Sequence, residues 1–170
     1  MSATNKDCIN INGFNWAIEV LDNENNIVDM EEKKNLIPSE GLDFLIGAPF
    51  SLAVPIPTFY IGLFRGNFMP TPSISANQIS TSLIEMTDYS ELTRPVWSFS
   101  KGAGAVIDNI NNKAEFSITQ DRLVYGAFLV SSDAKGSNGG TLLSCVRFSS
   151  PKQLSAGNTV RMSCGIAYVS

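Results

Sequence analysis

The last third of the chain alternates short apolar, β-branched runs with clusters of turn residues, and that rhythm narrows the choice of folds more than any other feature. Residues 106–109, 114–119, 123–130, 142–148 and 160–168 form five such runs. Between them lie 109–113, 120–122, 132–140 and 155–158, rich in Gly, Asn, Asp and Ser. Strands this short, at this spacing, pair through tight turns and pack as an antiparallel sandwich or barrel. No long amphipathic helical pattern occurs in the 170 residues, and no internal repeat is found at a period of about 20–50 residues. The expectation is a mainly β, single-domain chain over 1–170: about eight strands in a jelly-roll-like antiparallel β-sandwich, with one or two short helices.

The first zone adds a hairpin at about 14–32. Trp16, Ile18 and Val20 alternate with Ala17, Glu19 and Leu21 at period 2, the turn-rich run Asp22-Asn23-Glu24-Asn25-Asn26 follows, and Ile27 to Met30 resumes an extended pattern. Pro38 suits the first turn of a helix, with Glu40 near its positive end, and Leu42, Leu45 and Ile46 are spaced to share one face. From Phe44 to Phe64 the chain then runs 21 residues without a charge, long enough to cross a bilayer. Pro49, Pro55 and Pro57 fall inside it, each costing about 3 kcal/mol in a helix interior. A spanning helix is therefore rejected in favour of an extended apolar arm over about 44–58. That arm either covers the core or lies against a neighbouring subunit. It feeds an aromatic, β-branched run at 58–64 that suits a central strand. Further on, Ser75 is placed to cap a short helix carrying Ile79, Leu83 and Ile84.

Composition excludes several chemistries. With no histidine in the chain, Ser–His–Asp and Cys–His hydrolysis, His-ligated zinc and His-held haem are ruled out. A net charge of −4 argues against non-specific nucleic-acid binding. The polar start lacks the apolar core of a secretory signal. Cys8, Cys145 and Cys164 are odd in number and contain no CxxC pair, so Cys145 and Cys164 are expected as small apolar strand residues made in a reducing compartment. Charge is unevenly placed: residues 1–46 carry nine acids and three bases, 47–170 seven acids and nine bases. Such asymmetry either orients subunits against each other or marks a solvated hairpin edge whose charges discourage aggregation.

No motif carries catalysis. The runs Lys101–Ala105 and Gly136–Thr141 are Gly-rich, but neither matches a phosphate loop nor precedes a helix, so both are expected as hairpin turns. The acids Asp29, Glu31 and Glu32, and Asp88 with Glu91, cluster in sequence. A glycosidase would need two carboxylates roughly 5–10 Å apart across a cleft, and Asp108 with Glu115 is the pair to test. Residues 22–26 only approximate a calcium loop. No cofactor and no metal are expected. Asn, Ser and Thr together make up 44 of the 170 residues. A polar but weakly charged surface of that kind is cheap to desolvate and suits large contacts.

Several stretches together resemble the small structural proteins of tailed bacteriophages. They are Trp16-Ala17-Ile18-Glu19-Val20, Asn35 to Leu42, Phe59 to Phe64, Arg94-Pro95-Val96-Trp97, Asn112 to Ile118, Val124 to Leu129, Gly139 to Leu143 and Arg147-Phe148. The resemblance spans nearly the whole chain and rests on packing and turn residues, so it implies no catalytic residue and no enzyme. It implies a virion component made in the bacterial cytoplasm, most simply a capsid decoration (cement) protein on the capsid surface. The major capsid protein would be its partner and a homo-oligomer, dimer or trimer, its state. A head-fibre, neck or tail protein is the nearest alternative. Candidate contact residues are Phe50, Leu52, Val54 and Ile56 on the arm and Glu31 and Glu32 on the hairpin. A carbohydrate-binding sandwich would instead display grouped aromatics, with Trp16, Trp97, Tyr89 and Tyr168 the side chains that decide it.

Overall fold

The computed structural model describes residues 10–35, 37–102 and 104–169, with backbone alone for 10–12, 168 and 169. Ten strands form two antiparallel sheets, the jelly-roll-like sandwich expected. They are β1 (Asn10–Leu21), β2 (Ile27–Lys34), β3 (Tyr60–Phe64), β4 (Glu85–Met86), β5 (Ser100–Lys101), β6 (Val106–Asp108), β7 (Ala114–Ser117), β8 (Arg122–Val130), β9 (Leu142–Leu154) and β10 (Thr159–Val169). One sheet has the order β2-β1-β10-β6-β5, with β7 also paired to β10; the other is β4-β3-β8-β9. A single helix, α1 (Ser39–Gly47), and a 3₁₀ turn at Ala48–Phe50 connect β2 to β3.

The apolar patterns of the two sheets differ because their outer faces differ. In the six-stranded sheet, Phe14, Trp16, Ile18 and Val20 of β1 and Val160, Met162, Cys164 and Ile166 of β10 point inward and are buried, with smaller or polar residues between them. That alternation marks a sheet with one covered face. The four-stranded sheet is buried on both. Ile61, Leu63, Ala127, Leu129 and Val146 join the core between the sheets, while Phe64, Phe128, Val130, Leu142 and Cys145 pack outward under Ile74, Ala76, Ile79 and Leu83. Its strands therefore read as almost unbroken apolar runs. The covering segment begins where Gln78 accepts a hydrogen bond from the Ser75 amide (3.3 Å), and a π-helical turn over Ile79–Leu83 follows. Ile84, expected on that helix face, instead takes a left-handed backbone (φ 54°) and is 40% exposed.

Two cross-strand pairs lock the register of the four-stranded sheet. Gly62 lies opposite Phe128, and Gly126 opposite Phe64. A side chain at Gly62 would collide with the Phe128 ring, and one at Gly126 with the Phe64 ring and the Val146 carbonyl. Each glycine thus clears the space its partner's ring fills, and a slip of one residue would drive both rings out of their seats.

The long β8–β9 connection is held by a buried ion pair. Arg94 has no exposed surface; its Nε and Nη2 donate to Glu85 Oε1 and Oε2 (2.8 and 2.7 Å) and its Nη1 and Nη2 to the Ser132 and Ser137 carbonyls (both 2.8 Å). The Gly136 amide donates to Glu85 Oε2 (2.6 Å), and the Arg94 amide to the Asp133 carbonyl (2.8 Å). The guanidinium also stacks 5.3 Å from the Phe128 ring centroid.

Other expectations shift in detail. Pro38 sits just before α1, its carbonyl accepting from the Leu42 amide (2.9 Å). Ile46 is exposed, and Phe44 takes its place on the packed face, edge-on to Phe59 at 5.5 Å. The first residues of the apolar arm are thus helical. β9 runs past Pro151 to Leu154 because residues 148–151 bulge away from β8, where a proline loses no ladder bond. Cys145 and Cys164 are buried free thiols in β9 and β10, as expected; Cys8 lies outside the described residues.

Truncating Phe128 to Ala should cost about 3–5 kcal/mol in denaturant unfolding, the range for a buried ring; a loss below about 1 kcal/mol would place it outside the core. Arg94→Met alone should cost a similar amount, about 3–5 kcal/mol, because it strands Glu85 without a counter-charge. The double variant Arg94→Met, Glu85→Leu should be markedly more stable than that single one in the same measurement.

Candidate interaction surface

The arm leaves α1 through the 3₁₀ turn, and its prolines keep residues 51–59 out of regular structure. Phe50, Leu52 and Val54 project outward, 73, 82 and 83% exposed, with Ile46 also exposed at the end of α1. Ile56, the fourth arm residue expected at a contact, packs against the core and anchors the segment. Leu52, Val54, Ile56 and Phe44 line a groove of about 410 Å³ bordered by Asp43 and Glu40. Glu40 also fixes the base of this region, its Oε2 accepting from the amides of Ala76 (2.9 Å) and Leu142 (3.1 Å).

The hairpin carries its charges in an unexpected direction. In Ile27–Lys34, Val28 and Met30 face solvent, both 60% exposed, while Asp29, Glu31 and Lys33 turn toward β9. Glu31 accepts from the Ser149 amide (2.7 Å) and pairs with Lys152 Nζ (3.0 Å), Asp29 pairs with the same ammonium (3.1 Å), and Lys33 donates to Ser149 Oγ (2.8 Å). These inward charges tie β2 to β9 of the other sheet through side chains and, among the described residues, leave the outer backbone edge of β2 without a strand partner. Burial alone would raise the Glu31 carboxyl, but bonds from Ser149 and Lys152 outweigh it and hold the group below its ordinary 4.5. Burial likewise opposes the charge on Lys152, and Glu31 and Asp29 together still raise it above 10.5. Of the two hairpin acids expected at a contact, Glu31 is thus engaged within the chain, and Glu32 is exposed.

The remaining polar candidates have structural partners. Asp22 Oδ1 accepts from the amides of Glu24 (2.8 Å) and Asn26 (2.9 Å), making residues 22–26 a tight turn; no group of three metal-ligating side chains occurs among the described residues. Asp88 pairs with Arg122 (2.6 Å), and Glu91 accepts from the Ser117 amide (3.1 Å). Asp108 and Glu115 line different grooves, and Glu115 pairs with Arg161 (2.7 Å). Burial pushes both the Cys145 and Cys164 thiols well up, which leaves them unreactive. Trp16, Trp97 and Tyr89 are buried, so none of the three offers a face to a sugar; the Tyr168 side chain lies outside the described residues. No helix among the described residues is long and apolar enough to cross a membrane.

Sequence reasoning missed the exposed apolar side of β2 and the Arg94–Glu85 pair. The first carried a signal: Val28 and Met30 alternate with acids on a strand next to the turn, a pattern that fits either phase. The second carried none, because Glu85 of β4 meets Arg94 only through the fold and their further partners lie in the β8–β9 connection. No protein-family model matches the chain, and no curated protein is similar to it.

Because Glu31 is held ionised by native bonds, its contribution to stability is present above about pH 4.5 and is lost as pH falls through its lowered native value. Glu31→Gln should therefore flatten the acid limb of stability against pH in chemical denaturation; an unchanged limb would show that its bonds are not kept in solution.

Proposed function

We propose that the chain is a virion structural protein of a tailed bacteriophage, a capsid decoration protein that binds the major-capsid lattice and stabilises the head. The observation that carries this is the arm: three large apolar side chains, Phe50, Leu52 and Val54, held in solvent by a Pro-bounded segment whose next apolar residue is fixed in the core. Apolar groups displayed this way gain free energy only when a second surface covers them. The resemblance of the strand and turn residues to small phage structural proteins supports the same role.

A decoration protein works by multivalency. One arm in an apolar site on a capsid subunit gives modest affinity, and contacts to neighbouring subunits and neighbouring copies add through high effective concentration. The uncharged Asn, Ser and Thr surface lowers the desolvation cost of those further contacts. No bond is made or broken, and the carboxylates serve ion pairs and hydrogen bonds within the chain.

Substituting Phe50, Leu52 and Val54 together with serine should leave unfolding stability within about 0.5 kcal/mol per site, since all three are exposed. The same variant should bind undecorated shells more than about tenfold more weakly, because burying even one such side chain is worth about 1.5–3 kcal/mol. Co-sedimentation with shells reads the difference, and full binding by the folded triple variant would overturn the assignment.

A further inference from the structure

We infer that β2 is the seam of a two-fold homodimer, in which the edge strands of two copies pair antiparallel and join their six-stranded sheets into one. β2 is the terminal strand of its sheet, and among the described residues its backbone is bonded only to β1. The first half of its solvent side is apolar, with Ile27, Val28 and Met30 between 52 and 60% exposed, and Glu32 and Lys34 complete that side. An open, extended edge with apolar side chains is a template for another strand.

The sequence of the strand selects the occupant. It reads Ile-Val-Asp-Met-Glu-Glu-Lys-Lys, acids first and bases last. Laid antiparallel on a second copy, the acidic half meets the basic half, whereas a parallel copy would set like against like. Charges on an edge strand repel most foreign strands, and this order leaves the chain's own copy as the complementary partner.

The same pattern fixes the register. From Asp29 onward, past the bulge at Val28, odd-numbered residues face β9 and even-numbered ones face solvent, so a continuous sheet requires each residue to pair with one of equal parity, and the two-fold axis passes through a residue position. Axes at Met30 and at Glu31 give the greatest overlap. With the axis at Met30, Asp29 would face Glu31 of the second copy twice. With the axis at Glu31, Asp29 faces Lys33 of the second copy twice, Met30 faces Glu32, and Val28 lies under the aliphatic stem of Lys34. The one like-charge pair left is Glu31 with its own copy, and each of these carboxylates is already bound by the Ser149 amide and Lys152 of its own chain. The charge pattern therefore favours the axis at Glu31.

Sedimentation equilibrium on the full chain should give twice the 18.4 kDa chain mass at micromolar concentration. Val28→Lys with Met30→Lys, both at exposed positions, should weaken dimerisation more than tenfold while leaving the circular dichroism of the folded chain unchanged. In a Cys8→Ser background, Met30→Cys with Glu32→Cys should form an interchain disulfide on mild oxidation, and neither cysteine alone should. A wild-type mass other than the dimer's, or a dimer that survives both lysines, would overturn the seam. Cross-linking by Met30→Cys alone, as the axis at Met30 requires, or by Glu32→Cys alone would overturn the register. These measurements need no capsid, so their failure is separate from failure of shell binding.

Discussion

A guanidinium with no contact to solvent organises one end of this sandwich. Arg94 binds Glu85 in a two-pronged ion pair, and the two together take hydrogen bonds to residues 132, 136 and 137 of the β8–β9 connection. Burying two charges is costly, and it is tolerated here because the remaining donors and lone pairs find backbone partners. The consequence is structural specificity: the connection is tied to the segments around β4 and to residue 94, and Phe128 sits beneath the guanidinium. Phe128 in turn fills the space left by Gly62, so the charge pair, the ring and the strand register depend on one another.

Much of this architecture was legible in the sequence wherever a strand has one wet face. β1 and β10 alternate cleanly, and their period-2 pattern locates strand and inward face at once. The run Leu123–Val130 identified a strand but could not reveal that both of its faces are covered, since an unbroken apolar run is silent about what lies on either side. β2 was legible as a strand but not in its phase: Asp29 and Glu31 point toward β9 because Lys152 and Ser149 are there to receive them, and those partners lie more than a hundred residues away. The run at 142–148 was legible only in part, since the bulge opposite Tyr125 lets β9 continue past Pro151 to Leu154. At the candidate surface, the prolines coincide with the irregular stretch 51–59, and Phe50, Leu52 and Val54 are exposed. The inward turn of Ile56 depends on core contacts that periodicity does not encode.

Polar and apolar side chains occupy separate parts of the surface. Inward charges tie β2 to β9 across one side of the sandwich, and the core between the sheets fills its middle. On that body the arm holds three apolar side chains away from their own core, which limits the ordering needed when a partner covers them. Under the proposed role, the arm supplies the apolar anchor to the lattice and a paired β2 would double the number of anchors per particle, a direct route to multivalent grip.

The central claim is that this chain works by coating a capsid. Cryo-electron microscopy of virions from a tailed phage carrying the gene for this chain tests the proposal most directly. The account predicts an even array of the sandwich over the shell, with the arm turned toward the major capsid protein. Density confined to a single vertex, or no density on the virion at all, would contradict it.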